Sequence, residues 1–260
     1  MHGERLNNGL TAIAVGDGAA LVTLPGLGNG ADLAVKVPRM VALSAKTLAR
    51  GFRRRVHHIQ RPTEMPRGTT IEELAGWHAE ALRERFDGPV DVMGTSAGGI
   101  TALQLAMDHP DVVRRLVLCT AASRPSEEGK RALLRLMREE RRGKHDPWAA
   151  SGLITRGPLR LLTTVVYTVA SLTNNKRAPG EAEMVEAAQG WDVTERLGEV
   201  QAPTLVIAGT RDALVPVEYA RATAERIPNA RLLLIEGGDH LTTMFNGRVS
   251  PTIRGFLDYR

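Results

Sequence analysis

The sequence predicts an α/β protein built on a mostly parallel sheet with helices on both faces. Short apolar runs that read as buried strands alternate with amphipathic helical stretches from Leu10 to Cys119. The alternation stops after Ala121 and resumes at Pro203, which marks a helical insertion. Turns rich in glycine or acid follow several of the strands, at the end where open α/β sheets carry their sites.

Leu10 to Val15 reads as a strand closed by the tight turn Gly16-Asp17-Gly18. Ala20 to Leu24 is a second strand, apolar enough to be buried on both faces as parallel strands are. The glycine-rich loop Pro25-Gly26-Leu27-Gly28-Asn29-Gly30 follows, then a helix within Asp32 to Arg50 and a third strand over Arg53 to Gln60. Thr69 or Thr70 caps the next helix, whose first turn is acidic and whose apolar stripe is Leu74, Trp77, Ala81 and Leu82. Val90 to Met93 is a strand, Gly94 to Gly98 a sharp turn, and Gly99 opens a helix that stops near His109-Pro110. Val113 to Cys119 is the next buried strand.

Ser123 to Gly198 shows no strand. Glu127 to Arg142 is a basic amphipathic helix, Leu159 to Leu172 a more apolar one, and Glu181 to Gln189 a third. We therefore expect residues 123–198 to form a helical cap on a core made of residues 1–122 and 199–260. In the second part of that core, Pro203 to Ala208 is a strand, Val217 to Ile227 a helix, and Arg231 to Ile235 the last strand. Leu241 to Tyr259 holds a terminal helix that begins irregularly between Asn246 and Pro251.

Composition narrows the function classes. A hydrophobic share of 43% and a charged share of 24% are ordinary for a globular protein. The net charge of +5 comes with clusters at Arg53-Arg54-Arg55 and Arg138 to Arg142. Glu139 and Glu140 interrupt the second cluster, and no nucleic-acid-binding signature accompanies either, so both read as solvated surface. The single cysteine, Cys119, excludes an intrachain disulfide and a cysteine metal cluster, and its apolar run marks it as buried. The most apolar stretch carries Arg160 and is too short to span a bilayer, and the N-terminus has no signal-type apolar segment. A soluble, cytoplasmic protein without nucleic-acid or membrane partners is the expectation.

Gly94-x-Ser96-x-Gly98 between a strand and a helix has the form of a nucleophile elbow. The turn strains the serine backbone, and the flanking glycines let strand and helix approach. A serine hydroxyl becomes an effective nucleophile when a histidine takes its proton and a carboxylate orients that histidine. Asp212 follows the strand ending at Ala208, and His240 follows the last strand within Glu236-Gly237-Gly238-Asp239-His240. Asp239 rivals Asp212 for the acid role, but it adjoins the histidine and is poorly placed to reach the ring nitrogen facing away from serine. Among the histidines, only His240 follows a strand with glycines that permit close approach. His57 and His58 lie along a strand, His78 and His109 belong to helices, His2 is near the N-terminus, and His145 is in the insertion. One N–H of an oxyanion hole is expected from Ala97, the residue after the serine, at the positive end of its helix.

Four segments now stand in order: Leu24-Pro-Gly-Leu-Gly-Asn, Gly94-Thr-Ser-Ala-Gly-Gly, Gly209-Thr-Arg-Asp-Ala-Leu-Val-Pro and Gly237-Gly-Asp-His. On these segments the whole chain resembles the α/β-hydrolase family, with a helical cap inserted before the late strands. The resemblance implies that fold and a catalytic set of Ser96, Asp212 and His240. It also implies that the second oxyanion N–H comes from Leu27. The chain departs from the commonest family pattern, which has His-Gly where this sequence has Pro25-Gly26. The hydrogen bonds by which a histidine braces that loop are therefore missing, and the stiffness of proline is the substitute the sequence offers.

The resemblance implies a serine hydrolase of the esterase or lactonase type, acting through an acyl-enzyme on a small, hydrophobic carboxylic ester or lactone. Carbon–carbon bond hydrolysis of a diketone-like substrate, or ligand binding without turnover, would use the same scaffold. In the cap, Trp148, Leu153, Leu159, Leu162, Val166, Tyr167 and Met184 are candidates to line the substrate pocket, although a core within the cap would use the same residue types. Gly26-x-Gly28-x-Gly30 lacks the spacing of a dinucleotide fingerprint, no phosphate-binding lysine follows it, and no ligands are spaced for a metal. No cofactor and no metal are expected. The expected partner is a small-molecule substrate, and nothing in the sequence speaks to the oligomeric state.

Overall fold

The computed structural model describes residues 1–28, 31–142, 144, 146–173 and 180–259. Its strands are β1 (Glu4–Arg5), β2 (Thr11–Val15), β3 (Ala20–Leu24), β4 (Arg55–Gln60), β5 (Val90–Thr95), β6 (Val113–Cys119), β7 (Thr204–Gly209) and β8 (Ala230–Ile235). They form one sheet in the order β1-β2-β4-β3-β5-β6-β7-β8. β1 and β4 each pair with β2 antiparallel, and all other pairings are parallel. The helices are α1 (Arg39–Phe52), α2 (Ile71–Arg85), α3 (Ala97–Asp108), α4 (Glu127–Arg141), α5 (Pro147–Ile154), α6 (Pro158–Thr173), α7 (Glu181–Ala187), α8 (Val217–Arg226), α9 (His240–Met244) and α10 (Val249–Asp258).

Alternation along each strand builds two cores. Leu21, Met93, Val117, Cys119, Leu205 and Ile207 pack with Ala49 and Phe52 of α1 and with Ile253 and Phe256 of α10. Their strand neighbours Val22, Val92, Leu116, Leu118, Val206 and Ala208 turn the other way, onto Leu74 of α2, Leu103 of α3 and Ala220 of α8. Burial on both faces explains why these runs are apolar almost without a break. Asp91 is the exception in β5. It is fully buried, and Arg114 of β6 binds both its oxygens, at 2.9 and 2.6 Å, a charge-assisted fork that offsets the cost of burial.

Helix ends follow local chemistry. Thr70 caps α2 by accepting the Glu73 N–H at 3.2 Å, while the Glu73 carboxylate accepts the Thr70 N–H at 2.9 Å. α1 starts at Arg39, later than the expected window opens, because Pro38 disfavours helical backbone in the residue before it. The short elements β1 and α5 go beyond the sequence reading. α5 is opened by Asp146, whose carboxylate accepts the Ala149 N–H at 2.8 Å, with Pro147 in the first helical position. The terminal segment is two helices, α9 and α10, rather than one with an irregular start.

α4 to α7 form the helical insert, entered from the carboxyl end of β6. β6 and β7 pair directly from Leu116↔Thr204 to Cys119↔Ile207, so the sheet runs on as though the insert were absent. Among the described residues, no helix is long and apolar enough to cross a membrane.

Candidate active site

Ser96 sits between β5 and α3 with φ 51° and ψ −120°, a conformation that L side chains rarely adopt. Hydrogen bonds on both sides hold it there. Its N–H donates to the Cys119 carbonyl at 3.0 Å, and its own carbonyl accepts from Gly99 at 2.8 Å and Ile100 at 3.2 Å. The turn closes so tightly that side chains have no room beside it. A Cβ on Gly94 would lie 2.5 Å from the Gly98 carbonyl oxygen, and one on Gly98 would meet the carbonyls of Leu24 and Pro25.

The loops after β7 and β8 bring Asp212 and His240 to this serine. His240 Nε2 is 2.9 Å from Ser96 Oγ, and His240 Nδ1 is 2.8 Å from Asp212 Oδ2. A carboxylate only accepts, so Nδ1 carries the proton and Nε2 is left to accept the serine hydroxyl. Asp212 Oδ1 accepts the N–H groups of Leu214 and Val215 at 2.9 and 3.0 Å, which fixes the carboxylate. Asp212 and His240 are 6% and 5% exposed, and such dryness strengthens each of these bonds. Nearby, burial and the charge of Asp212 push the Cys119 thiol up to about 12, which makes it inert as a nucleophile.

Asp239 has a different task. Its Oδ1 accepts the N–H groups of Leu241 and Thr242 at the start of α9, and its Oδ2 accepts from Thr155 and Arg156 of the insert. Burial works against this carboxylate, but the hydrogen bonds from Thr242, Thr155 and Arg156 outweigh it and hold the group below its usual range.

The loop after β3 faces Ser96. A Cβ on Gly26 would lie 3.2 Å from the serine Cβ. Leu27 and Ala97 line one cavity with Ser96 and His240, and among the described residues neither of their N–H groups has an intramolecular hydrogen-bond partner. The bracing that a histidine would supply comes instead from Arg61 and Glu181. Arg61 donates to the carbonyls of Pro25 at 3.3 Å and Gly26 at 3.0 Å, and Glu181 accepts the Gly28 N–H. Asn29 and Gly30 of this loop lie outside the described residues.

Residues 20–249, which take in β3 to β8 and the hydrogen-bonded Ser96, His240 and Asp212, match the Alpha/beta hydrolase family. The chain belongs to that family. Among curated relatives of this α/β-hydrolase, a poly(3-hydroxyalkanoate) depolymerase from Ectopseudomonas oleovorans is 34% identical over 173 residues. That match takes in 65% of the present chain and 61% of the depolymerase. Among solved structures, a thermophilic esterase from Thermogutta terrifontis is 23% identical with a TM-score of 0.73, over 95% of this chain and 92% of that one. An enol-lactonase from Burkholderia xenovorans LB400 is 22% identical with a TM-score of 0.72, over 97% and 98% of the two chains. The two structures establish likeness of fold.

The α/β-hydrolase cavity above Ser96 is walled almost wholly by apolar side chains. Leu27, Ile100, Ala121 and Ala122 come from the core, Leu133 from α4, Met184, Val185 and Ala188 from α7 and the residue after it, and Leu214 and Val215 from the loop after β7. Lys130 and Arg124 also border it, but Lys130 donates to the Gln189 carbonyl at 2.9 Å, and Arg124 pairs with Asp192 at 3.2 Å. Of the cap residues singled out from sequence, Met184 lines this cavity. Leu153 packs beside it, against a cluster containing Leu214 and Val215. Trp148, Leu159 and Leu162 are not among the lining residues. Trp148 is 52% exposed beneath the Arg160 guanidinium, and Leu162 is 60% exposed. The side chains of Val166 and Tyr167 lie outside the described residues, as does His145. Among the described residues, no group of three or more His, Cys, Asp or Glu side chains converges as a metal site.

Proposed function

We propose that this α/β-hydrolase cleaves small, hydrophobic carboxylic esters or lactones through an acyl-enzyme on Ser96. The observation that carries the reading is the unbroken hydrogen-bonded chain Asp212–His240–Ser96 opening into an apolar cavity.

In the proposed reaction, Ser96 Oγ attacks the substrate carbonyl carbon while His240 Nε2 takes the hydroxyl proton. The carbonyl oxygen gains negative charge and is held by the N–H groups of Leu27 and Ala97, the latter at the positive end of α3. Asp212 keeps the ring in the tautomer that accepts at Nε2 and stabilises the imidazolium. Collapse of the tetrahedral intermediate breaks the bond to the leaving group, which takes the proton from Nε2. Water then adds to the acyl group with His240 as base, and Ser96 leaves with the proton restored. A lactone follows the same course, with the leaving alcohol still tethered to the acyl group.

A fluorophosphonate probe is expected to label Ser96 in the wild type and to leave Ser96→Ala unlabelled. Turnover of short p-nitrophenyl esters is expected to vanish in the same variant. Labelling of Ser96→Ala at the wild-type rate would remove Ser96 from the mechanism.

A further inference from the structure

Arg61 directly follows β4 and is 5% exposed, yet its guanidinium reaches no solvent-facing partner. Its two terminal nitrogens face the backbone carbonyls of Pro25 and Gly26. Its Nε is buried without a hydrogen-bond partner, an arrangement that carries a free-energy cost and is tolerated here. Burial works against the Arg61 charge, and Glu181, whose carboxylate lies 3.7 Å from Arg61 Nη2, opposes that effect. Glu181 is the first residue of α7 and also accepts the N–H of Gly28. A buried cation and a cap carboxylate thus grip three successive units of one loop.

The geometry of a single peptide unit gives this grip its meaning. The Gly26 carbonyl and the Leu27 N–H belong to the same planar trans amide, and in such a unit they point in opposite directions. A guanidinium that draws the Gly26 oxygen to one side therefore turns the Leu27 N–H to the other, toward the cavity that Leu27 shares with Ser96. A charge-assisted bond to that oxygen also polarises the amide and strengthens its N–H as a donor. Holding the Pro25 carbonyl with the other arm of the same rigid fork sets the preceding amide plane, which the point charge of a lysine cannot do.

We propose that Arg61 is a positioning residue that orients the Leu27 N–H for the oxyanion, and that Glu181 makes this orientation depend on a seated cap. The inference rests on the reading of Ser96 as nucleophile and Leu27 as donor.

The test combines turnover of p-nitrophenyl butyrate, affinity for a trifluoromethyl ketone that adds to Ser96 as a tetrahedral adduct, and a crystal structure of Arg61→Met. Arg61→Met is expected to lose about 10²-fold in kcat, the scale of one missing oxyanion donor. KM should move by less than about threefold, and the ketone should weaken in parallel with kcat. Arg61→Lys is expected to recover part of the loss. Glu181→Ala should cost about tenfold in kcat, and Glu181→Gln, which keeps an acceptor for Gly28, clearly less. An Arg61→Met enzyme with wild-type kcat, or one whose loss lies in KM alone, overturns the proposal. If Arg61→Met does not fold, Arg61→Lys and Glu181→Ala decide by the same split between kcat and KM. Should Ser96→Ala keep turnover, the nucleophile reading fails separately. The crystal structure then decides: a rotated Gly26–Leu27 amide supports positioning, and an unmoved one refutes it.

Discussion

Thr155, at the end of α5, donates its hydroxyl at 2.8 Å to Asp239, the residue immediately before His240. With the Arg156 N–H at 3.0 Å on the same oxygen, the insert is fastened to the loop that carries the histidine. Asp239 is thereby committed to architecture, and Asp212 is left as the histidine's partner. The two aspartates should respond differently to amide substitution. Asp212→Asn is expected to lower kcat by about 10⁴-fold with stability nearly unchanged, because the amide favours the wrong ring tautomer. Asp239→Asn keeps an amide oxygen to cap α9 but gives up the second acceptor that holds Thr155 and Arg156, and is expected to lower stability by about 1–2 kcal/mol, with kcat within about tenfold of wild type. Ester kinetics and thermal denaturation of both variants measure the contrast, and equal kinetic losses would contradict the division of roles.

The turn at Ser96 is sensitive to a single methyl group. A Cβ on Gly94 would stand 2.5 Å from both the Gly98 oxygen and the Gly99 Cα, and 2.6 Å from the Ala102 Cβ. None of these is the flexible end of a side chain, so α3 itself must shift. Gly94→Ala is expected to cost at least about 2 kcal/mol in urea unfolding. Gly88→Ala, where the new methyl meets nothing within 4 Å, should stay within about 0.5 kcal/mol of wild type.

Buried histidines make stability depend on pH. Burial lowers His58 and His78 to about 4, with the Arg61 charge adding to the effect at His78, and their rings meet the Thr23 hydroxyl at 3.0 Å and the Leu74 carbonyl at 2.7 Å respectively. In the unfolded chain they bind protons near the ordinary value of 6.5, so between 6.5 and about 4 the unfolded state holds more protons. Stability therefore falls as pH drops through that window and levels off below it. The contribution is on the order of 3 kcal/mol per histidine across the full window. Urea unfolding between about pH 7 and about pH 5 should show the decline, and a His58→Gln, His78→Gln variant should show a shallower one. An unchanged slope in the double variant would place the effect elsewhere.

The cavity wall and the outer face of the cap should separate in kinetics. Leu133 faces the cavity, so Leu133→Ala is expected to raise KM for a butyrate ester about fivefold, equivalent to about 1 kcal/mol of lost apolar contact. Trp148 is half exposed under Arg160, so Trp148→Ala should leave KM within about twofold of wild type. A large KM effect at Trp148 would mean that substrate reaches the cap's outer surface.

The fold and the hydrogen-bonded set of Ser96, His240 and Asp212 are legible in the sequence because each is dictated locally. A strained serine needs small neighbours within a few residues, and Asp212 and His240 stand in the short loops that follow apolar strands. The cavity wall has no such local signature. Ile100, Leu133, Met184 and Leu214 come from well-separated stretches, and an apolar helix position reads alike whether it turns to a core, a cavity or solvent. Trp148 and Leu162 stand out by size but face outward. The brace on the Pro25-Gly26 loop is hidden for another reason. Arg61 bonds to backbone carbonyls, which any sequence supplies, so no side-chain pattern records the contact. The one available signal was a charged residue closing the strand that ends at Gln60.

β6 and β7 are hydrogen-bonded neighbours although α4 to α7 lie between them in the chain. A descendant of this enzyme can therefore lengthen, shorten or exchange the insert while the register of the sheet stays as it is. The part of the cavity wall that α4 and α7 supply can thus vary on one stretch of the gene while Ser96, Asp212 and His240 stay on others. The freedom is bounded where the insert meets the core: an incoming segment has to replace the packing of Met184, the carboxylate on Gly28 and the hydrogen-bond donors on Asp239.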